Sequence, residues 1–218
     1  PQLIGMIIVF LAGAHRYRQK NQNTKPNLWR EGRQLLGKIP FLASCLAICQ
    51  SFLFLVGVTR VAFPFLAVNL RGISLETVGM IVSISRLTDT FGRYVGGRLC
   101  DRFRPASVIL LGVALGVPML LLQVLGSGWV TLMIPLAIMT MGFGFTNVGA
   151  TTFALQSADR GAKELALGIS RASTSFGQAI GPLVCGALIE QMGYEGGFQT
   201  MAVISAVVLI VTWIGLRK

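Results

Sequence analysis

Acidic side chains are scarce in this sequence: eight Asp and Glu stand against nineteen Lys and Arg in 218 residues, and histidine occurs once, at His15. Only 12% of residues are charged while 53% are hydrophobic, whereas soluble domains carry about 25% charged residues, so a water-soluble globule is excluded. The usual catalytic arrangements are missing as well. There is no GxSxG, no HExxH and no pair of aspartates within an apolar run, and an enzyme is therefore not expected. Cys45, Cys49, Cys100 and Cys185 form no CxxC pair and have no histidine neighbour; they read as small packing residues, and neither a metal nor a cofactor is expected. No lysine lies within an apolar run, which removes the attachment point that a retinal-type receptor needs.

What the chain has instead is apolar length. A membrane-spanning helix takes about 20 residues, and six runs qualify, at 41–66, 76–97, 106–126, 129–155, 165–189 and 197–216. A shorter run over 1–14 reads as the end of a truncated transmembrane helix. It begins without Met and has no basic flank, unlike a signal peptide. The polar segment 15–38 reads as a basic linker, and the short connections after it predict one six-helix transmembrane bundle over 39–218. If the linker is cytoplasmic, alternate crossings put fourteen basic residues on that side: Arg16, Arg18, Lys20, Lys25, Arg30, Arg33, Lys38, Arg98, Arg102, Arg104, Arg160, Lys163, Arg217 and Lys218. The opposite loops hold Arg71, with Arg60 near that interface. The asymmetry is that of cytoplasmic loops and predicts a multi-pass protein of the inner (plasma) membrane with a cytoplasmic C-terminus. It also accounts for the net charge of +11 without nucleic acid as a partner. Trp29, Trp129 and Trp213 fall in a loop or near the interfaces, as belt residues do.

The chain repeats itself. Residues 84–100 (ISRLTDTFGRYVGGRLC) align with 169–185 (ISRASTSFGQAIGPLVC) at an offset of 85, with seven identities in seventeen positions. Average residue usage of about 7% would give one or two. The segments are the second and fifth of the six runs, so each is the middle of a three-helix unit. An odd number of crossings makes the second unit inverted relative to the first. Within the repeat, Gly92-x-x-x-Gly96 and Gly177-x-x-x-Gly181 place two glycines on one helix face, where another backbone can approach closely. Static packing and smooth sliding both use such faces, and both readings stand.

At the end of the second run stands Gly97-Arg98-Leu99-Cys100-Asp101-Arg102-Phe103-Arg104-Pro105. It resembles the signature loop of the major facilitator superfamily, G-x-x-x-D-R-x-G-R-[RK], on which Gly97, Asp101, Arg102 and Arg104 can be placed. Arg104 takes the usual second glycine position and Pro105 replaces a basic residue, a degenerate form that suits the loop between the eighth and ninth helices. Gly177-Gln-Ala-Ile-Gly181-Pro182-Leu-Val-Cys-Gly186 is similar to the superfamily's G-x-x-x-G-P-x-x-x-G motif, known best from drug exporters. With the run Met141-Gly-Phe-Gly-Phe145, the resemblance covers nearly the whole chain, as the end of helix six plus helices seven to twelve. It implies an all-α membrane bundle of two inverted three-helix repeats, one half of a transporter whose other partners are the lipid bilayer, a missing N-terminal six-helix half or a second copy, and a small-molecule substrate with protons. It also implies that Asp101 accepts hydrogen bonds from a helix N-terminus of the other bundle and so gates the cytoplasmic side. A local salt bridge in a topogenic loop is the plainer reading of Asp101.

Ionisable groups inside a membrane are costly unless paired or wetted. Arg86 lies about ten residues into its run, with Asp89 at i+3 and Arg93 at i+7 on a similar face. One reading has Arg86 and Asp89, with the repeat-related Arg171, lining a cavity that binds an anionic substrate or senses a proton on Asp89. The other has a static ion pair that orients the helix. Asn147, Thr151, Thr152 and Gln156 follow the glycine-rich run, where they contact substrate or bond across helices. Pro64, between Phe63 and Phe65, is expected to kink or end its helix near the outer surface. The expected function is secondary transport by alternating access, with proton-coupled efflux of organic or drug-like compounds as the leading reading and a solute importer and a non-transporting scaffold or receptor fragment as alternatives.

Overall fold

The computed structural model describes residues 28–159 and 162–217. The apolar stretch 1–14, most of the basic linker, His15 and Arg160 lie outside the described residues. All regular structure among the described residues is helical: α1 (Leu28–Leu36), α2 (Ile39–Leu70), α3 (Leu75–Arg102), α4 (Pro105–Leu125), α5 (Trp129–Ser157), and a stretch Lys163–Arg217 that divides into α6 (163–192) and α7 (194–217). The division falls at Gly193, whose φ of 71° belongs to the left-handed region open to glycine. Four stretches are long and apolar enough to cross a membrane: Ile39–Leu70, Pro105–Leu125, Trp129–Ser157 and Lys163–Arg217. α3 is not among them because Arg86, Asp89 and Arg93 lie along it, yet it packs within the same bundle.

Local sequence sets the boundaries. Pro40 and Pro105 stand in the first turns of α2 and α4, where a missing N–H is harmless. Ser74 caps α3 by accepting the Thr77 N–H at 3.4 Å, and at the start of α5 the Gly128 N–H donates to Thr131 Oγ1 at 2.9 Å. The Lys38 ammonium donates to the Ser157 carbonyl at the end of α5, at 2.8 Å. Two expectations are adjusted. The last part of the polar linker is helical in α1, and its Leu35 is buried among Phe41, Ala162 and Ala166. Pro64 does not end α2: π-helical turns at Val58–Ala62 and Leu66–Leu70 flank it and carry the helix on to Leu70. Within them the Phe63 N–H reaches the Val58 carbonyl five residues back, a widened register that absorbs the irregularity a proline introduces.

The bundle is built from two three-helix units, α2–α4 and α5–α7, that pack reciprocally. The middle helix of the first unit, α3, meets α5, the first helix of the second: a Cβ on Gly92 would stand 2.5 Å from the Met141 carbonyl oxygen, and one on Gly96 would stand 3.3 Å from Phe145 Cα. The middle helix of the second unit, α6, meets α2 in the same way, with Gly177 against the Cys49 carbonyl and Gly181 against that of Leu53. So both glycine pairs of the repeat are points of backbone approach. They also align the first helices, with Cys49 matching Met141 and Leu53 matching Phe145. The α3–α5 seam also holds a 2.8 Å hydrogen bond shared by the Thr88 and Thr140 hydroxyls, and between α2 and α7 Gln50 Nε2 donates to Ser205 Oγ at 2.8 Å. The core holds Phe54, Phe63, Ile81, Ile109, Leu132, Met139 and Phe198.

Candidate functional site

Along α3 the charged groups sort by the direction in which helical side chains lean, toward the helix N-terminus. Arg93 leans back onto Asp89, donating Nε to Oδ1 at 3.3 Å and Nη2 to Oδ2 at 3.0 Å. Arg86 leans away from Asp89 and gives its Nη2–H to Thr59 Oγ1 of α2 at 3.1 Å. The buried Thr59 hydroxyl in turn donates to the Leu55 carbonyl. Asp89 is therefore paired as the sequence suggested, but with Arg93 and not with Arg86. An acid four residues before a base is the favourable helical order. The Asp89 side chain is 9% exposed and that of Arg93 is 43% exposed, so the buried carboxylate is compensated by a partner that reaches outward.

What Arg93 reaches is a cleft of about 270 Å³. Its polar lining comes from three helices: Arg93 of α3, Asn147 and Thr151 of α5, and Arg171, Thr174 and Gln178 of α6. Ile48 and Phe52 of α2 and Leu167 of α6 add an apolar wall. The cleft lies toward the bundle end where α3 and α5 finish and α6 begins. Arg171 and Asn147 of the predicted set thus meet at one site, Asp89 stands one residue behind it, and Arg86 lies outside it. Sequence reasoning passed over Thr174 and Gln178. The signal was there, since they are the offset-85 counterparts of Asp89 and Arg93.

The predicted gating residues lie at that same end. Gly97, Asp101 and Arg102 belong to the last turns of α3, and Arg104 precedes α4; Asp101, Arg102 and Arg104 are exposed. Among the described residues no cation pairs with Asp101. Arg98 lies over the Tyr94 ring, 4.5 Å from its centroid. Pro182 lies inside α6, one residue beyond the close approach of Gly181 to Leu53. Among the described residues no three His, Cys, Asp or Glu side chains come together as metal ligands would.

Comparison with known proteins agrees with this architecture. Residues 3–164 and 41–218 both match the family model described as Major Facilitator Superfamily. An uncharacterized MFS-type transporter of Mycobacterium tuberculosis is 28% identical over 153 residues, which cover 70% of this chain and 26% of that protein. The chain spans about a quarter of the length of that curated relative. With its inverted three-helix units and apolar spans, this multi-pass membrane chain belongs to the Major Facilitator Superfamily.

Proposed function

We propose that the chain is the C-terminal bundle of a secondary transporter that moves a small molecule by alternating access, with proton-coupled efflux of organic compounds as its direction. The superfamily is one of transporters, and no enzymatic activity is proposed. On this reading 1–14 closes the preceding helix, 15–38 is a cytoplasmic linker, and 39–218 is the bundle that works against a second, N-terminal one. The protein lies in the inner membrane with its C-terminus in the cytoplasm.

One asymmetry carries the proposal. Arg86 and Arg171 are repeat partners at an offset of 85, and the packing of the first helices makes Thr59 and Thr151 partners in the same sense. Arg86 is bonded to Thr59, while Arg171 and Thr151 line an open cleft nearer the basic end. Two inverted repeats in different arrangements support alternating access, because exchanging the arrangements closes one cleft and opens its counterpart at the other end. Gly92, Gly96, Gly177 and Gly181 supply smooth seams for that motion, and Asp101 with Gly97, Arg102 and Arg104 latches the cytoplasmic side.

The test is reconstitution of the full-length protein that carries this chain into liposomes with an imposed pH gradient. Movement of fluorescein and of ethidium is followed by fluorescence. Gradient-driven movement of either dye, lost in Asp89→Asn, is the expected result. No movement of either dye refutes proton-coupled efflux of organic compounds.

A further inference from the structure

Arginines are the only ionised groups among the described residues that line the cleft: Arg93 from α3 and Arg171 from α6. A guanidinium has five N–H donors. Arg93 uses two on Asp89 and keeps about three, while Arg171 has no ion pair with a described carboxylate. Two positive charges at the lining and one negative charge behind Arg93 leave a surplus of one positive charge. The hydroxyls of Thr151 and Thr174 donate to their own helices, at 2.8 Å to the Asn147 carbonyl and 3.1 Å to the Ser170 carbonyl. The amides of Asn147 and Gln178 add N–H donors beside the two guanidinium groups.

An unneutralised guanidinium within the membrane span is costly, and a donor-rich cleft with surplus positive charge is complementary to an oxyanion. We propose that this cleft is the half-site for an organic anion, whose carboxylate, sulfonate or phosphate head is held by Arg171 and the free edge of Arg93. Its apolar body lies against Ile48 and Phe52. Asp89 is a positioning residue here, holding the Arg93 guanidinium without touching the ligand. The inference rests on the transport reading and names its substrate class.

The experiment uses the full-length protein in mild detergent, with thermal midpoints read against concentration for benzoate, glutarate and inorganic phosphate, and for benzamide and benzylamine as uncharged and cationic counterparts. At least one anion stabilises the protein while benzamide and benzylamine do not. Arg171→Gln weakens that anion about ten-fold or more, Arg171→Lys keeps the preference for negative charge at reduced affinity, and Arg217→Gln, at a side chain that lies over the Trp213 ring outside the cleft, leaves it unchanged. Three results overturn the proposal: no anion stabilises, benzamide or benzylamine stabilises as well as the best anion, or Arg171→Gln binds as before. The last would mean that a carboxylate elsewhere in the transporter neutralises Arg171. Dye movement in liposomes separates this outcome from failure of the transport reading. Anion binding without movement of any dye leaves the site standing and removes proton-coupled efflux, whereas movement of ethidium with no anion stabilising the protein does the reverse.

Discussion

Gly92→Ala is the sharpest probe of how this bundle is held together. The added methyl carbon would stand 2.5 Å from the Met141 carbonyl oxygen and 3.0 Å from its Cα. Ordinary contact begins near 3.4 Å, so α3 and α5 must separate by roughly 0.9 Å at this point, backbone against backbone with no flexible side chain to yield. Gly144 on the facing helix is equally tight, its virtual Cβ 2.6 Å from the Asp89 carbonyl oxygen and 2.8 Å from the Arg93 amide nitrogen. The separation therefore loosens contacts over two turns and shifts the segment that carries Arg93. Overpacking of this kind costs about 1–3 kcal/mol, against which the better helix propensity of alanine returns less than about 1 kcal/mol. Gly97, on the same helix, is the control, because nothing lies within 4 Å of its virtual Cβ; Gly97→Ala leaves stability unchanged or raises it by up to about 1 kcal/mol. The fraction of folded, monodisperse protein after graded heating in mild detergent measures both. Gly92→Ala as stable as wild type, or Gly97→Ala as damaging as Gly92→Ala, would refute the close approach of α3 and α5.

Ser205→Ala removes the acceptor of Gln50 Nε2, and because Gln50 Oε1 already lacks a partner, the buried amide is left wholly unsatisfied at a cost of about 1–3 kcal/mol. Gln50→Leu with Ser205→Ala recovers most of that loss, and a double-mutant cycle on thermal unfolding measures the coupling. Gly193→Ala forces a side chain into φ 71°, ψ 178°, a region nearly reserved for glycine, and destabilises the α6–α7 corner by about 1–3 kcal/mol; limited proteolysis between residues 190 and 196 reports it as faster cleavage. Asp101→Asn alters transport in liposomes while leaving the melting behaviour of the bundle unchanged, since Asp101 is exposed and pairs with no described cation; a lowered melting point would instead mark it as a structural residue.

Much of the fold was legible because it is written in one dimension. The six helices follow the apolar runs closely, and the repeat at offset 85 anticipated that α3 and α6 play equivalent parts, as their glycine contacts with α5 and α2 show. Two local features were less legible. The continuation of α2 past Pro64 depends on π turns, whose hydrogen-bond register is not signalled by residue type. The helical end of the linker depends on Leu35 finding Phe41 and Ala162, residues that come together only after the chain has folded.

For the candidate site the division is physical. The sequence by itself determined that charge would sit within the second span, that Arg171 would repeat Arg86, and that polar groups would follow the glycine-rich run, since these depend only on residue type and spacing. Tertiary structure decided their partners. Asp89 joined Arg93 because helical side chains lean toward the N-terminus, Arg86 crossed to Thr59 because α2 lies on that side, and Arg93, Asn147 and Arg171 came to one cleft. Their meeting depends on the distance between helices, set by backbone contacts at Gly92, Gly96, Gly177 and Gly181, and no spacing along a single helix contains that distance.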